Sequence, residues 1–255
     1  MFAITHPPSA IMESGERTYL GRPAIEYALA LRQFADYCRV LQDGGAIVRV
    51  LDANLALPDC AFVEDAAIVL DEIALICSMG VESRRAEVQA IELEIRKHRG
   101  IARIELPAMI EGGDVLRVGK TLFVGQSSRT NRAGINAIGA IVQQFGYRVV
   151  PIAVRQCLHL KTACCALPDG RILVNPAWID APLEIALNGF GWVKVPQQEP
   201  WGANILSLDQ TVVIDSAHAW TAELIESLRF EVRRVDLSEF AKAEAGVTCL
   251  SLLVP

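Results

Sequence analysis

One pattern restricts this chain's fold more than any other: an apolar run, a two-residue polar turn and a second apolar run, the signature of a tight β-hairpin. It occurs four times. The apolar runs 66–70, 115–118, 164–167 and 205–208 meet polar turns at Asp71-Glu72, Gly119-Lys120, Asp169-Gly170 and Asp209-Gln210, and are answered by runs 73–77, 121–124, 172–174 and 211–214. Successive turns lie roughly 40 to 50 residues apart, which marks an internal structural repeat. A fifth apolar run, 248–254, ends the chain with no hairpin partner after it, and the first run, 2–5, is free to supply one. Pairing the termini would close five ββαβ-like units into a ring without a free sheet edge.

Helical spacing fills the intervals. Residues 24–42 begin after Pro23 and stop before Gly44-Gly45, with Ile25, Leu29, Phe34 and Leu41 near helical period. Stretches 82–99, 131–145, 182–187 and 221–230 have the same character. The expected class is therefore α/β, a five-bladed ring of ββαβ repeats in which residues 1–255 form a single domain.

Bulk properties exclude some functions. A formal charge of −6 offers no basic surface for a nucleic-acid backbone or an anionic membrane. No segment has eighteen consecutive apolar residues, and Glu13 and Glu16 interrupt the N-terminus where a secretory signal would be apolar, so a cytoplasmic protein is expected. Seven cysteines without zinc spacing fit a reducing compartment better than a disulfide framework.

The residues capable of chemistry fall near the starts of the repeats. The segment 59–65 carries Asp59, Glu64 and Asp65; Glu64 and Asp65 are adjacent, so only one can face a given pocket directly. In Glu111-Gly112-Gly113-Asp114 two glycines permit positive φ or close backbone approach between carboxylates, while those carboxylates and the lack of a following Lys-Ser/Thr argue against a phosphate loop. His159, in Cys157-Leu158-His159-Leu160-Lys161-Thr162, precedes a repeat strand and can titrate near neutrality. Cys249, in Gly246-Val247-Thr248-Cys249-Leu250-Ser251, lies about ninety residues further on, and only ring closure would bring the two together. Taken singly, an acidic pair, a histidine or a buried cysteine is more commonly structural. Arg84, in Ser83-Arg84-Arg85, and Arg129, in Gly125-Gln126-Ser127-Ser128-Arg129-Thr130-Asn131, follow second hairpin strands and present guanidinium forks suited to a carboxylate.

Taken together and in order, FVEDAA, SRRAE, EGGDV, GQSSRTN, HLKT and GVTCLS resemble the dimethylarginine dimethylaminohydrolase family of the guanidino-modifying (pentein) superfamily. The resemblance implies a five-bladed α/β propeller with its site in the central channel. It implies a hydrolase that converts Nω-methylated arginine, asymmetric dimethylarginine or monomethylarginine, to citrulline and an alkylamine through a covalent thiouronium. Cys249 then matches the nucleophile, His159 the general acid–base, and Glu111 the carboxylate that orients the histidine. Asp59 and Asp65 match the groups that hold the guanidinium, with Glu64 beside them. Arg84 and Arg129 match contacts to the α-carboxylate, and Leu20 falls at the family's N-terminal lid.

No metal or organic cofactor is implied, and zinc on Cys249 and His159 would inhibit rather than assist. A homodimer is compatible with this reading. Two features bear on substrate. Lys161 stands where arginine deiminases carry an acid, which favours the dimethylarginine branch, whereas Ser78-Met79-Gly80-Val81-Glu82 replaces that branch's proline-containing run. The alternatives are a related deiminase or guanidine hydrolase acting on another substituent, and a non-catalytic pentein binding protein.

Overall fold

The computed structural model describes residues 1–21 and 23–255. These residues form five three-stranded sheets. In chain order the blades are Ala67–Val69, Ala74–Ile76 and Ile101–Arg103; Val115–Val118, Thr121–Gln126 and Arg148–Ala153; Cys164–Ala166, Ile172–Val174 and Trp192–Lys194; Leu206–Leu208, Thr211–Asp215 and Glu231–Val235; and Ser251–Val254, Phe2–Thr5 and Ile47–Val50. In each, the first two strands are antiparallel and the third returns parallel to the second. The parallel return requires a crossover, supplied by Val88–Ile95, Arg132–Val142, Leu183–Ala186, Ala219–Ser227 and Tyr27–Asp43.

The termini pair as the hairpin pattern predicts, Phe2 opposite Val254 and Thr5 opposite Ser251. Burial shows that the ring closes. Among the described residues there are five apolar clusters, and each draws on two successive blades: Ile68 with Leu122, Leu116 with Val174, Leu173 with Ile214, Val213 with Ala3, and Ile4 with Ile76. Each blade thus covers its neighbour's apolar face, which is how a repeat too small to hold a core alone becomes stable. This is the five-bladed α/β propeller expected from the repeats.

The boundaries differ in instructive ways. The stretch 82–99 begins with a 3₁₀ segment, Glu82–Glu87, before the α-helix proper, and the fifth-blade strand begins at Ser251 rather than 248. Residues 247–250 instead form turns, because the Thr248 backbone and hydroxyl bond to Asn204 and Glu64 rather than to a neighbouring strand. Helix 132–142 is capped by Asn131, whose side chain accepts from the Gly134 N–H, one of the unpaired donors of a first turn. At the hairpin turns Gly119 and Asp209 both take positive φ, 57° and 53°, a conformation that costs glycine little and that aspartate tolerates.

Candidate active site

In every blade the chain makes a short turn just before the first strand, and these turns converge on the ring's centre. Val63–Ala66 carries Glu64 and Asp65, Glu111 precedes Gly112–Asp114, and His159 precedes Leu160–Ala163. Asn204 and Cys249 occupy the corresponding stretches ahead of Leu206–Leu208 and Ser251–Val254.

A small cleft at one end of the channel is lined by Cys249, His159, Asp59, Asp65, Arg84 and Arg129, together with Glu16, Phe62, Leu158 and 243–245. Sulfur and imidazole therefore share one compartment with four carboxylates, Glu16, Asp59, Asp65 and Glu244. Behind the imidazole stands Glu111, fully buried, its Oε2 2.7 Å from His159 Nε2. Glu111 is itself fixed: Oε1 accepts from the Gly80 N–H at 2.9 Å, and Arg129 Nη1 lies 3.5 Å away. Asp65 Oδ1 lies 3.7 Å from His159 Nδ1, and its Oδ2 takes Arg84 Nη1 at 2.6 Å.

Why two glycines follow Glu111 is clear from the packing. Neither has positive φ. A Cβ on Gly112 would overlap the Glu64 carbonyl oxygen, and one on Gly113 would sit 2.7 Å from both Asp65 Oδ1 and His159 Nδ1. Close approach, rather than backbone handedness, is the requirement. Asp114 completes the segment by accepting from the Leu160 N–H at 2.9 Å, which sets the turn that aims His159.

These charges fix the protonation states. Burial alone would lower the pKa of His159, but Asp65 and the Glu111 hydrogen bond outweigh it and raise the imidazole to about 9. Burial likewise works against ionisation of Asp65, yet His159 and Arg84 bring it down to about 2. Glu111 is lowered too: its bond to His159 and that residue's charge exceed the desolvation. Burial, reinforced by Glu64 and Asp65, pushes the Cys249 thiol strongly upward, so the resting site holds a neutral thiol beside an imidazolium.

Glu64, expected beside Asp59 and Asp65, is not brought into this cleft. Its turn is 3₁₀ rather than extended, and it points Glu64 to the other end of the channel, where Oε1 pairs with Lys161 Nζ and Oε2 accepts from Thr248 Oγ1, both at 2.6 Å. Leu20 lines an adjoining cavity with Trp201, His218 and Glu244. Arg84 spends most of its fork on protein: Asp65, both oxygens of Glu87, and the Phe62 carbonyl. Segment 78–82, whose departure from the family pattern suggested altered substrate reading, lies outside the cleft and buttresses Glu111 through Gly80.

Sequence reasoning missed Glu16, Glu87 and Glu244. An isolated surface-type glutamate gives no sign that it will be folded into a site, although Glu87 lies three residues after Arg84 on a helical turn, a spacing that favours pairing.

Asp65, Glu111 and His159 place three donor atoms within 4.8 Å of one another. The guanidiniums of Arg84 and Arg129 already neutralise those carboxylates.

Comparison with known proteins agrees with this geometry. Residues 20–236 match the model of a family described as N,N dimethylarginine dimethylhydrolase, eukaryotic. The chain is 36% identical over 252 residues to the N(G),N(G)-dimethylarginine dimethylaminohydrolase of Streptomyces coelicolor, covering 98% of this chain and 95% of that one. The chain belongs to the dimethylarginine dimethylaminohydrolase family. The family's solved structures superpose closely. A cysteine-to-serine variant of the Pseudomonas aeruginosa enzyme, complexed with citrulline, matches with TM-score 0.91 at 30% identity over 98% of both chains. A histidine-to-glycine variant of a dimethylarginine dimethylaminohydrolase, as an adduct with S-methyl-L-thiocitrulline, matches with TM-score 0.91 at 31% identity over 99% of both.

Proposed function

We propose that residues 1–255 act as one catalytic unit that hydrolyses Nω-methylated arginine, asymmetric dimethylarginine or monomethylarginine, to citrulline and the corresponding methylamine. The observation that carries this reading is the shared cleft: Cys249 and His159 face one compartment, with Asp59 and Asp65 on its wall and Glu111 holding the imidazole.

Guanidinium carbon is a poor electrophile because three nitrogens share its charge, so the reaction needs a strong nucleophile, anions around the cation and an acid for the departing amine. The resting thiol is protonated because burial and carboxylates disfavour thiolate. A bound guanidinium reverses that balance: it supplies the missing positive charge, and Cys249 loses its proton to solvent. The thiolate then adds to the guanidinium carbon. His159, protonated because its pKa is about 9, gives its proton to the departing alkylamine as the C–N bond breaks. A thiouronium remains on Cys249. His159, now neutral, takes a proton from water as the oxygen adds to the same carbon, and C–S cleavage, with the hydroxyl proton passing to the departing sulfur, releases citrulline and restores the Cys249 thiol. Glu111 keeps the imidazole oriented throughout, and Arg129, whose guanidinium lies 3.5 Å from Glu111, is the better placed of the two arginines to meet an α-carboxylate.

Lys161 supports the methylated substrate over free arginine: it is bound to Glu64 at the far end of the channel and offers no acid to grip a guanidinium. The unpaired state of all seven cysteines fits a cytoplasmic enzyme. None of the described helices is long and apolar enough to cross a membrane.

The test is turnover of asymmetric dimethylarginine, monomethylarginine and arginine, with citrulline, methylamines and ammonia assayed separately. Citrulline and dimethylamine in equal amounts, lost in Cys249→Ser, are expected. An active Cys249→Ser variant would refute the nucleophile, and equal efficiency on free arginine would refute the methylarginine preference.

A further inference from the structure

Glu244 is buried, and its backbone adopts φ of 61°, the left-handed region that glutamate rarely enters. Such a conformation persists only where the surroundings hold it, and here its effect is to aim a carboxylate at the N-terminal segment. That carboxylate accepts three successive backbone N–H groups from the N-terminal segment: Thr18 at 2.9 Å, Tyr19 at 2.5 Å and Leu20 at 2.6 Å. Three adjacent amides converging on one anion form a charge-assisted nest, stronger than the same number of neutral hydrogen bonds.

Glu244 touches the reaction compartment that holds Cys249 and His159, while Leu20 lines the cavity that adjoins it, to which Glu244 also contributes. Its own backbone is fixed to the preceding helix, Ser238–Ala241, by the N–H bond to the Ala241 carbonyl at 3.0 Å. Two residues later, the Gly246 N–H donates to Cys249 Sγ at 3.4 Å. The segment is also tied at Glu16, whose N–H donates to Asp59 Oδ2 at 2.9 Å, and whose carboxylate accepts from Ser83 Oγ.

We infer that Glu244 is the positioning residue that latches residues 18–20 beside the cleft, so that its carboxylate sets how often the site opens to substrate and water. The kinetic part of this inference rests on the proposed hydrolase activity; the structural part does not. Breaking the latch releases three amides to solvent while leaving Cys249, His159 and Glu111 in place. It therefore weakens retention of substrate more than it slows the chemistry at the guanidinium carbon.

The test uses the full chain with Glu244→Ala and Glu244→Gln, the latter keeping one amide oxygen as an acceptor without the charge. Amide hydrogen exchange across 17–20 should quicken by about tenfold or more in Glu244→Ala, with Thr121–Gln126 unchanged, and Cys249 should react faster with iodoacetamide. With asymmetric dimethylarginine, KM should rise by about tenfold while kcat stays within about threefold, and Glu244→Gln should fall between wild type and Glu244→Ala. Unchanged exchange at 17–20 and unchanged alkylation in a folded Glu244→Ala protein would overturn the latch, as would equal acceleration of exchange in Thr121–Gln126. Should Glu244→Ala fail to fold, the same exchange and alkylation measurements on Glu244→Gln decide. Should the wild type turn over no methylarginine, the proposed function fails, and those two measurements still decide the latch.

Discussion

Glu111 Oε2 lies 2.7 Å from His159 Nε2 across 48 residues of sequence, and the carboxylate has no exposed surface. The bond joins the turns that open the second and third blades, so the imidazole's basicity is raised by other repeats, through Asp65 and Glu111, rather than by its own. Replacing Glu111 with Gln removes the negative charge while keeping the volume. The His159 pKa should fall from about 9 toward its ordinary value, followed by NMR titration of the imidazole. Rate should drop by about 10²–10⁴, the usual worth of a positioned acid–base group.

The raised imidazole also makes stability depend on pH. Its folded pKa, about 9, lies above the ordinary 6.5, so the stabilisation is complete below pH 6.5 and is lost as pH rises through 9. At about 1.36 kcal/mol per unit the loss amounts to roughly 3 kcal/mol. Urea unfolding between pH 6 and 9.5 should show wild type losing about that much more stability than His159→Asn. Parallel curves for the two proteins would mean that the folded imidazole is not held as a cation.

Gly112 and Gly113 should respond differently to alanine. At Gly112 the added methyl meets a backbone carbonyl that cannot rotate away, so thermal denaturation should show a loss of about 1–3 kcal/mol. At Gly113 it meets the Asp65 carboxylate and the His159 ring, and steady-state kinetics should show the larger effect in kcat.

The Glu64–Lys161 pair offers a way to separate scaffold from chemistry. Either single replacement by leucine leaves a buried charge without its partner and should destabilise by about 3 kcal/mol. The double replacement should recover much of that loss. If Glu64 is structural, KM for asymmetric dimethylarginine in the double variant should stay near the wild-type value; a large rise would return Glu64 to the substrate site.

The five-fold ring was legible because a hairpin is a local object. Turn chemistry at Gly119-Lys120 or Asp169-Gly170 and the flanking apolar runs lie within a dozen residues, and their recurrence is visible without coordinates. The pairing of Phe2–Thr5 with Ser251–Val254 followed from a strand left without a partner. Less legible were boundaries where side chains compete with the backbone ladder, as Thr248 does by bonding to Glu64 and Asn204. Glu64 and Asp65 diverge as adjacent residues were expected to, but within a 3₁₀ turn rather than at a strand entrance.

The order and type of the reactive residues, an acidic segment, Glu-Gly-Gly-Asp, a histidine and a C-terminal cysteine, were written in the chain itself, as was the family they resemble. Only the folded molecule decided that Asp65 faces Cys249 while Glu64 faces Lys161, that Arg84 is largely committed to Asp65 and Glu87, and that Glu244 grips residues 18–20. The physical reason is range. Repeat and turn signals come from neighbours along the chain, whereas the partner of a buried charge is chosen by whatever opposite charge the closed ring brings within a few ångströms.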